Sequence, residues 1–187
     1  TAPNSAAYGI ATKALGTKSV AVGSDAVANT EFTVAVGAGA NSTGNSAIAT
    51  GANSVANGIG NIATGGGANA TGNGAVATGT SSVANGNNAL AVGTNTNATG
   101  AKAIAIGSDS KSLAESTLAI GNNASASAYT ATALGTNAAA SGQKAIAISA
   151  GPNSTTATEL AAIAIGSDSK ALGNSSLAIG DSANAIQ

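Results

Sequence analysis

The acidic side chains are the candidates for catalysis or metal binding in this chain, because the sequence contains neither His nor Cys. An imidazole base, a thiolate nucleophile and a soft metal site are therefore unavailable. Asp109 and Glu115 are close enough in sequence to be weighed as a catalytic pair, but two solvated turn residues are the simpler interpretation. The sequence predicts no enzyme, no metal site and no cofactor. The carboxylates are spread over the whole chain: Asp25, Glu31, Asp109, Glu115, Glu159, Asp168 and Asp181.

Charge and hydropathy exclude further classes of function. The net charge is −1 and only 7% of residues are charged, so nothing in the sequence would attract nucleic acid or an anionic membrane. No apolar run approaches the length of a membrane span, so we expect no direct membrane insertion. The glycine run at 65–67 lacks the Lys-Ser/Thr pair of a phosphate loop and is interpreted as a turn.

Any functional side chain must be positioned by a repeat, because a phrase such as Ser19-Val20-Ala21-Val22-Gly23 returns every 14 residues. A single interval is longer: Ser149 stands where the next glycine is due, and the phrase closes again only at Gly166, 17 residues later. We therefore predict one domain over 1–187, with about 13 coils and an inserted loop at about 150–159. The regular glycines are Gly9, Gly23, Gly37, Gly51, Gly65, Gly79, Gly93, Gly107, Gly121 and Gly135.

A second glycine half a repeat on, as at Gly16 and Gly44, divides each coil into two segments. Glycine every seven residues breaks any helical stripe, whereas 14 residues suit two strands of about five residues and two tight turns. Both kinds of glycine are expected to supply positive φ at the turns. The fold class predicted is all-β, a parallel β-roll of stacked 14-residue coils.

The strand before each main glycine is apolar on both faces, so both faces must be buried. Its central residue is always Ala, and we assign the Ala face to the narrow interior of the roll, although the reverse assignment would also bury everything. The flanking large residues would then form an outer ridge through which chains associate. The ridge residues named for this interface are Val20, Val22, Val34, Val36, Ile104, Ile106, Leu118, Ile120, Ile163 and Ile165.

These phrases resemble the YadA-like head domain of trimeric autotransporter adhesins, and the resemblance covers essentially the whole chain. It rests on Ser19-Val20-Ala21-Val22-Gly23, Ala103-Ile104-Ala105-Ile106-Gly107 and Ser176-Leu177-Ala178-Ile179-Gly180. The resemblance implies a homotrimer of left-handed parallel β-rolls. It also implies a place on the bacterial cell surface, on a coiled-coil stalk and an outer-membrane β-barrel that this chain lacks. The implied function is virulence-related adhesion to host matrix proteins, such as collagen, fibronectin or laminin, or to a host receptor, for instance of the CEACAM type.

Residues that interrupt the repeat are the candidates for partner binding. Phe32 and Tyr129 lie on the turn before the apolar strand, where other coils have polar residues, and exposed aromatics are common in binding hot spots. An aromatic that covers its own coil edge is the competing interpretation. Loops that interrupt rigid repeats often carry function, although simple tolerance of a loop is as good an explanation. The loop candidates are Gly151, Pro152, Asn153, Ser154, Thr155, Thr156, Thr158 and Glu159.

Three other functions compete with adhesion. Thr50, Thr64 and Thr78 share one position in successive coils, as in an ice-binding β-solenoid, but most coils have Val or Ile there. A glycosidase on a trimeric β-helix would need a carboxylate pair and an aromatic groove, and aromatics make up only 2% of the chain. The third alternative is a non-adhesive spacer of a surface fibre.

Overall fold

The computed structural model describes residues 1–149 and 151–186, and within them the only regular elements are short β-strands. The predicted all-β class is confirmed. In the described part of the chain, no helix is long and apolar enough to cross a membrane. The chain divides into two compact units, Thr1–Asn95 and Thr96–Gln187. The single-domain interpretation stays a prediction.

Unit 1 contains the first 13 strands, which alternate between three residues and two residues in length. These strands are shorter than the expected five residues, because a tight turn follows every strand. They are β1 Ala6–Tyr8, β2 Lys13–Ala14, β3 Val20–Val22, β4 Val27–Ala28, β5 Val34–Val36, β6 Asn41–Ser42, β7 Ile48–Thr50, β8 Val55–Ala56, β9 Ile62–Thr64, β10 Asn69–Ala70, β11 Val76–Thr78, β12 Val83–Ala84 and β13 Leu90–Val92.

Unit 2 contains the other 13 strands and follows the same alternation except around the inserted residues. They are β14 Asn97–Ala98, β15 Ile104–Ile106, β16 Lys111–Ser112, β17 Leu118–Ile120, β18 Ser125–Ala126, β19 Thr132–Leu134, β20 Ala138–Ala140, β21 Ile146–Ile148, β22 Thr155–Ala157, β23 Ile163–Ile165, β24 Lys170–Ala171, β25 Leu177–Ile179 and β26 Asn184–Ala185.

In each unit the odd-numbered strands pair in parallel to form one sheet, which we call sheet A, and the even-numbered strands form sheet B. Paired residues are one repeat apart, so Ala35 lies opposite Ala49 and Ala105 opposite Ala119. We call the turn from sheet A to sheet B the first turn of a coil, and the turn from sheet B to sheet A the second turn. The result is the predicted parallel β-roll, in which every position of a coil forms a column.

Alanine fills the interior between the two sheets, as the sequence predicts. The central Ala of the sheet A strands is 0% exposed at Ala21, Ala63, Ala105 and Ala147, and sheet B contributes equally buried alanines such as Ala28. The interior is so narrow that Asn61 is its largest fully buried side chain. The Asn61 amide spans the gap, because Nδ2 donates to the Ala70 carbonyl at 2.7 Å and Oδ1 accepts from the Ala75 backbone N–H at 3.0 Å.

The second-turn glycines have a different cause from the one we expected. The main glycines do adopt positive φ, for example +128° at Gly23. Gly44 does not, and a Cβ there would instead lie 2.0 Å from the carbonyl oxygen of Gly58 in the next coil. The positive φ of each turn falls two residues later, at positions such as Lys18, Phe32 and Ser46. Close approach of stacked backbones, rather than positive φ, therefore favours glycine at the second turn, although Thr30, Ala114, Ala128 and Glu159 occupy the same column in other coils.

Candidate partner-binding site

The large residues that flank each sheet A alanine point out of the roll and form the ridge that the sequence predicts. In unit 1, Val20 and Val22 are 36% and 37% exposed, and Val34 and Val36 are half-buried. In unit 2, Ile120 is 38% exposed, and the other named ridge residues are half-buried: Ile104, Ile106, Leu118, Ile163 and Ile165. One chain therefore leaves an apolar strip in contact with solvent. Its role as a trimer interface stays a prediction.

Phe32 and Tyr129 lie on second turns, as the sequence predicts, and are 47% and 48% exposed. Phe32 belongs to unit 1, where the Lys18 ammonium lies 4.9 Å from the centre of its ring. Lys18 is not among the residues predicted from the sequence, although its distance of 14 residues from Phe32 places the two side chains in one column. This cation–π contact stabilises an exposed aromatic in a fixed position, by about 0.5–1 kcal/mol.

The inserted residues form an extended first turn in unit 2, which is fastened to the coil before it. The Asn137 amide donates to the Pro152 carbonyl at 2.6 Å, and the Ser154 hydroxyl donates to the Asn137 carbonyl at 3.3 Å. Ser149, where a glycine was due, donates its hydroxyl to the Gly151 carbonyl at 2.9 Å. The insertion is thus an ordered turn with exposed Pro152, Asn153 and Ser154, and Gly151 is half-buried. Ala150 lies outside the described residues.

The inserted loop is shorter than predicted, because a regular sheet B strand resumes at Thr155. Thr155 pairs with Ala138, and its fully buried hydroxyl donates to the Gly166 carbonyl. Its side chain cannot contact a partner, so Thr155 is wrongly placed among the binding candidates. Thr156 is half-buried on the outer face of sheet B, while Thr158 and Glu159 are exposed on the second turn, which follows β22. The alternation of small residues, Ala138 and Ala140 with Thr155 and Ala157, could have shown this from the sequence.

Within unit 2 the structure does not gather the candidates into one site. The inserted turn joins sheet A to sheet B, whereas Tyr129 lies on a turn that joins sheet B to sheet A. The two features are therefore on opposite edges of the roll. A partner that contacts both would have to cover a whole face of the unit.

Asp109 and Glu115 are separated in the same way. Asp109 lies on a first turn, where the Ser108 hydroxyl donates to its carboxylate at 3.2 Å, and Glu115 lies on a second turn. The structure therefore does not bring the two carboxylates together. Across residues 1–149 and 151–186 there is no cavity and no cluster of acidic side chains that could hold a metal ion.

A roll of 14-residue coils with an alanine interior and an uncovered apolar ridge defines a class of repetitive parallel β-roll proteins. A sequence profile of the YadA head domain repeat matches the chain over most of its length, and the chain belongs to this family of adhesin-type heads. The matched segments are 1–26, 14–40, 70–96, 84–110, 98–124, 112–138, 126–148 and 157–183.

One solved structure among those that match is the collagen-binding domain of the Yersinia adhesin YadA. The two chains share 25% sequence identity with a TM-score of 0.51, and the match covers 82% of this chain and 69% of the Yersinia chain. No curated protein sequence matches the chain. The predicted family is therefore confirmed, and this family supports an adhesive rather than an enzymatic role.

Proposed function

We propose that this chain is the adhesive head of a bacterial surface fibre, that it assembles as a homotrimer through the ridge, and that it binds a collagen-type host matrix protein. The observation that carries the proposal is the match to the collagen-binding domain of YadA over 82% of the chain. The proposal includes display at the bacterial surface on an outer-membrane anchor and a role in attachment to host tissue. It does not include catalysis, since Asp109 and Glu115 lie on opposite edges of the roll.

The ridge supports self-association. Its residues are spaced by one coil, about 4.8 Å, along sheet A. Another copy of the chain has the same spacing, so its ridge can match this one level by level. Burying an exposed Val or Ile side chain contributes roughly 1.5–3 kcal/mol as an upper estimate. Because Val20, Val22 and Ile120 remain more than a third exposed in one chain, a second and third copy would add substantial burial.

Each coil would contribute only a weak contact with collagen, but the coil is repeated along the chain. Identical sites on three copies strengthen binding when the target is itself repetitive, and the collagen triple helix repeats every three residues. We propose that specificity comes from the features that interrupt the repeat. These are the exposed residues Phe32, Tyr129, Pro152, Asn153, Ser154, Thr158 and Glu159, with half-buried Gly151 and Thr156 beside them.

The test is binding of the trimeric parent to immobilised collagen, with fibronectin, laminin and epithelial receptors as the comparison panel. Phe32→Ser copies the residue at the same position in the next coil, Ser46, and Tyr129→Asn copies Asn73. Both changes therefore keep the turn while removing the aromatic. In a third variant, residues 149–154 are replaced by Gly-Thr-Asn, the equivalent residues of the coil before, 135–137.

We expect the parent to bind collagen and each variant to bind it several-fold more weakly while remaining a trimer. Unchanged binding by all three variants would move the site to the regular coil faces. A trimeric parent that binds no member of the panel would contradict adhesion and indicate a spacer. Asn53→Ser, on an exposed first turn of unit 1, copies Ser81 two coils on; it is the matched control and should bind like the parent.

A further inference from the structure

Three consecutive coils of unit 1 carry threonine in a ridge column that has valine on either side. Thr50, Thr64 and Thr78 lie opposite one another in parallel register, with Val36 before them and Val92 after them. The neighbouring ridge column stays apolar at the same three levels, with Ile48, Ile62 and Val76. The apolar ridge is therefore interrupted by a polar strip three coils long on one side.

The three threonine hydroxyls are not satisfied within the chain. Successive strands of a sheet are about 4.8 Å apart, whereas a hydroxyl hydrogen bond needs about 2.7 Å, so threonines of adjacent coils with the same rotamer do not pair directly. In the described structure none of the three donates to or accepts from another residue. Interior hydroxyls behave differently: those of Ser54 and Ser82 donate to the carbonyls of Gly51 and Gly79 at 2.9 and 2.8 Å.

A threonine hydroxyl is both a donor and an acceptor, so three of them can close a ring of hydrogen bonds. On the proposed homotrimer, three aligned ridges would bring one threonine from each copy to each of the three levels. A chain with valine at one of these levels would leave its partners' hydroxyls buried and unpaired, which costs free energy. In coiled coils a single polar residue in an apolar seam selects partner and register by the same means.

We infer that Thr50, Thr64 and Thr78 form an intersubunit hydroxyl layer that selects identical, aligned copies of this chain as trimer partners. The inference rests on the proposed homotrimer and adds the identity and alignment of its partners. Such a layer would fix the register between copies. Without it, near-identical coils would let one ridge slide along another by a coil with little loss of apolar contact. With the layer, a shift by one coil sets Thr50 or Thr78 against a valine.

The test mixes two chains that differ only in the layer. The variant Thr50→Val/Thr64→Val/Thr78→Val and an isotope-labelled parent are unfolded together, refolded and separated by native mass spectrometry. If the layer selects partners, trimers that contain both chains should fall at least about tenfold below their binomial share, because each contains buried unpaired hydroxyls. A binomial distribution of mixed trimers would overturn the layer. Such a distribution would be seen if water filled the space around the threonines and satisfied their hydroxyls.

Two further chains make the result decisive. Thr71 is exposed and directly follows strand β10 of sheet B, outside the ridge, so the Thr71→Val chain should mix binomially with the parent. Thr64→Val changes one level and should give a smaller depletion, which keeps the inference testable if the triple variant fails to fold. The parent is measured alone first: a parent that is not a trimer refutes the homotrimer and the layer together, whereas a trimeric parent that mixes freely refutes the layer alone.

Discussion

The two faces of strand β15 differ in whether one chain is enough to cover them. Ala105 points inward and is 0% exposed, because sheet B closes the roll over it. Ile104 and Ile106, its immediate neighbours, point outward and stay partly in contact with solvent. The same contrast is found in unit 1 at Ala21 between Val20 and Val22. The smaller residue is thus buried within the chain, and the larger residues form the open ridge.

This contrast separates folding from assembly. The interior depends on small residues because the two sheets approach so closely that few side chains larger than Thr fit between them. Its stability comes from close packing and from backbone pairing in every coil, rather than from large apolar side chains. The ridge holds the large β-branched residues, which contribute most when a second surface covers them. A change to the interior should therefore unfold the chain, and a change to the ridge should dissociate it.

The largest effect is expected from a charge on the ridge. Ile106→Asp should prevent trimer formation, because it places three carboxylates close together in an apolar interface, at a cost of about 3–5 kcal/mol per chain. Size-exclusion chromatography with light scattering measures the loss. Ile106→Val, the residue type of other coils, is the control and should remain a trimer. An Asp variant that trimerises as well as the parent would remove Ile106 from the interface.

The interior change on the same strand should be smaller in free energy but should act on the fold itself. Ala105→Leu overpacks the space between the sheets, for which we expect a destabilisation of about 2–3 kcal/mol and a lower melting temperature by circular dichroism. Ala139→Leu, on the outer face of sheet B, should change the melting temperature little. Equal melting temperatures for parent and Ala105→Leu would mean that the interior is not close-packed.

A smaller effect is expected at the second-turn glycines. Gly44→Ala should cost about 1–3 kcal/mol, because its Cβ would lie 2.0 Å from the Gly58 carbonyl oxygen and the coils would have to separate. Gly66→Ala is the matched control, since a Cβ there meets no atom within 4 Å. Chemical denaturation measures the free energy of unfolding of both variants and of the parent. If both change stability equally, the close approach of coils does not explain these glycines.

The smallest effect on stability belongs to the inserted turn. Replacing residues 149–154 by Gly-Thr-Asn should leave the free energy of unfolding within about 1 kcal/mol of the parent, because loop length contributes little to stability. The hydrogen bonds of Ser149 and Asn137 to this turn would be lost, but the regular turn replaces them. A loss of trimer in this variant would show that the turn is part of the assembly rather than a binding feature.

The repeat predicts the fold well because spacing alone decides which residues share a column. The alanine interior, the outward ridge and the second-turn positions of Phe32 and Tyr129 all follow from the 14-residue period. The extent of the inserted loop was wrong because only the length of the interval was considered, and the strand pattern that resumes at Thr155 was not. The prediction that Gly44 supplies positive φ was wrong, because the distance between stacked coils cannot be read from the sequence of a single repeat.

The binding candidates were harder to predict. A repeat shows which residues depart from it, but not which departures face the same partner. Tyr129 and the inserted turn both interrupt the repeat, yet they lie on opposite edges of the roll. Lys18 follows the repeat in an unremarkable turn position, and its contact with Phe32 depends on the side-chain conformations of two coils.

The most direct test of the separation between folding and assembly is the oligomeric state of the purified chain at micromolar concentration, by sedimentation equilibrium. We predict a stable particle of three times the chain mass with strand-rich circular dichroism, since the ridge needs other copies to cover it. A folded monomer at that concentration would contradict this prediction, because the ridge would then be stable in water without a partner.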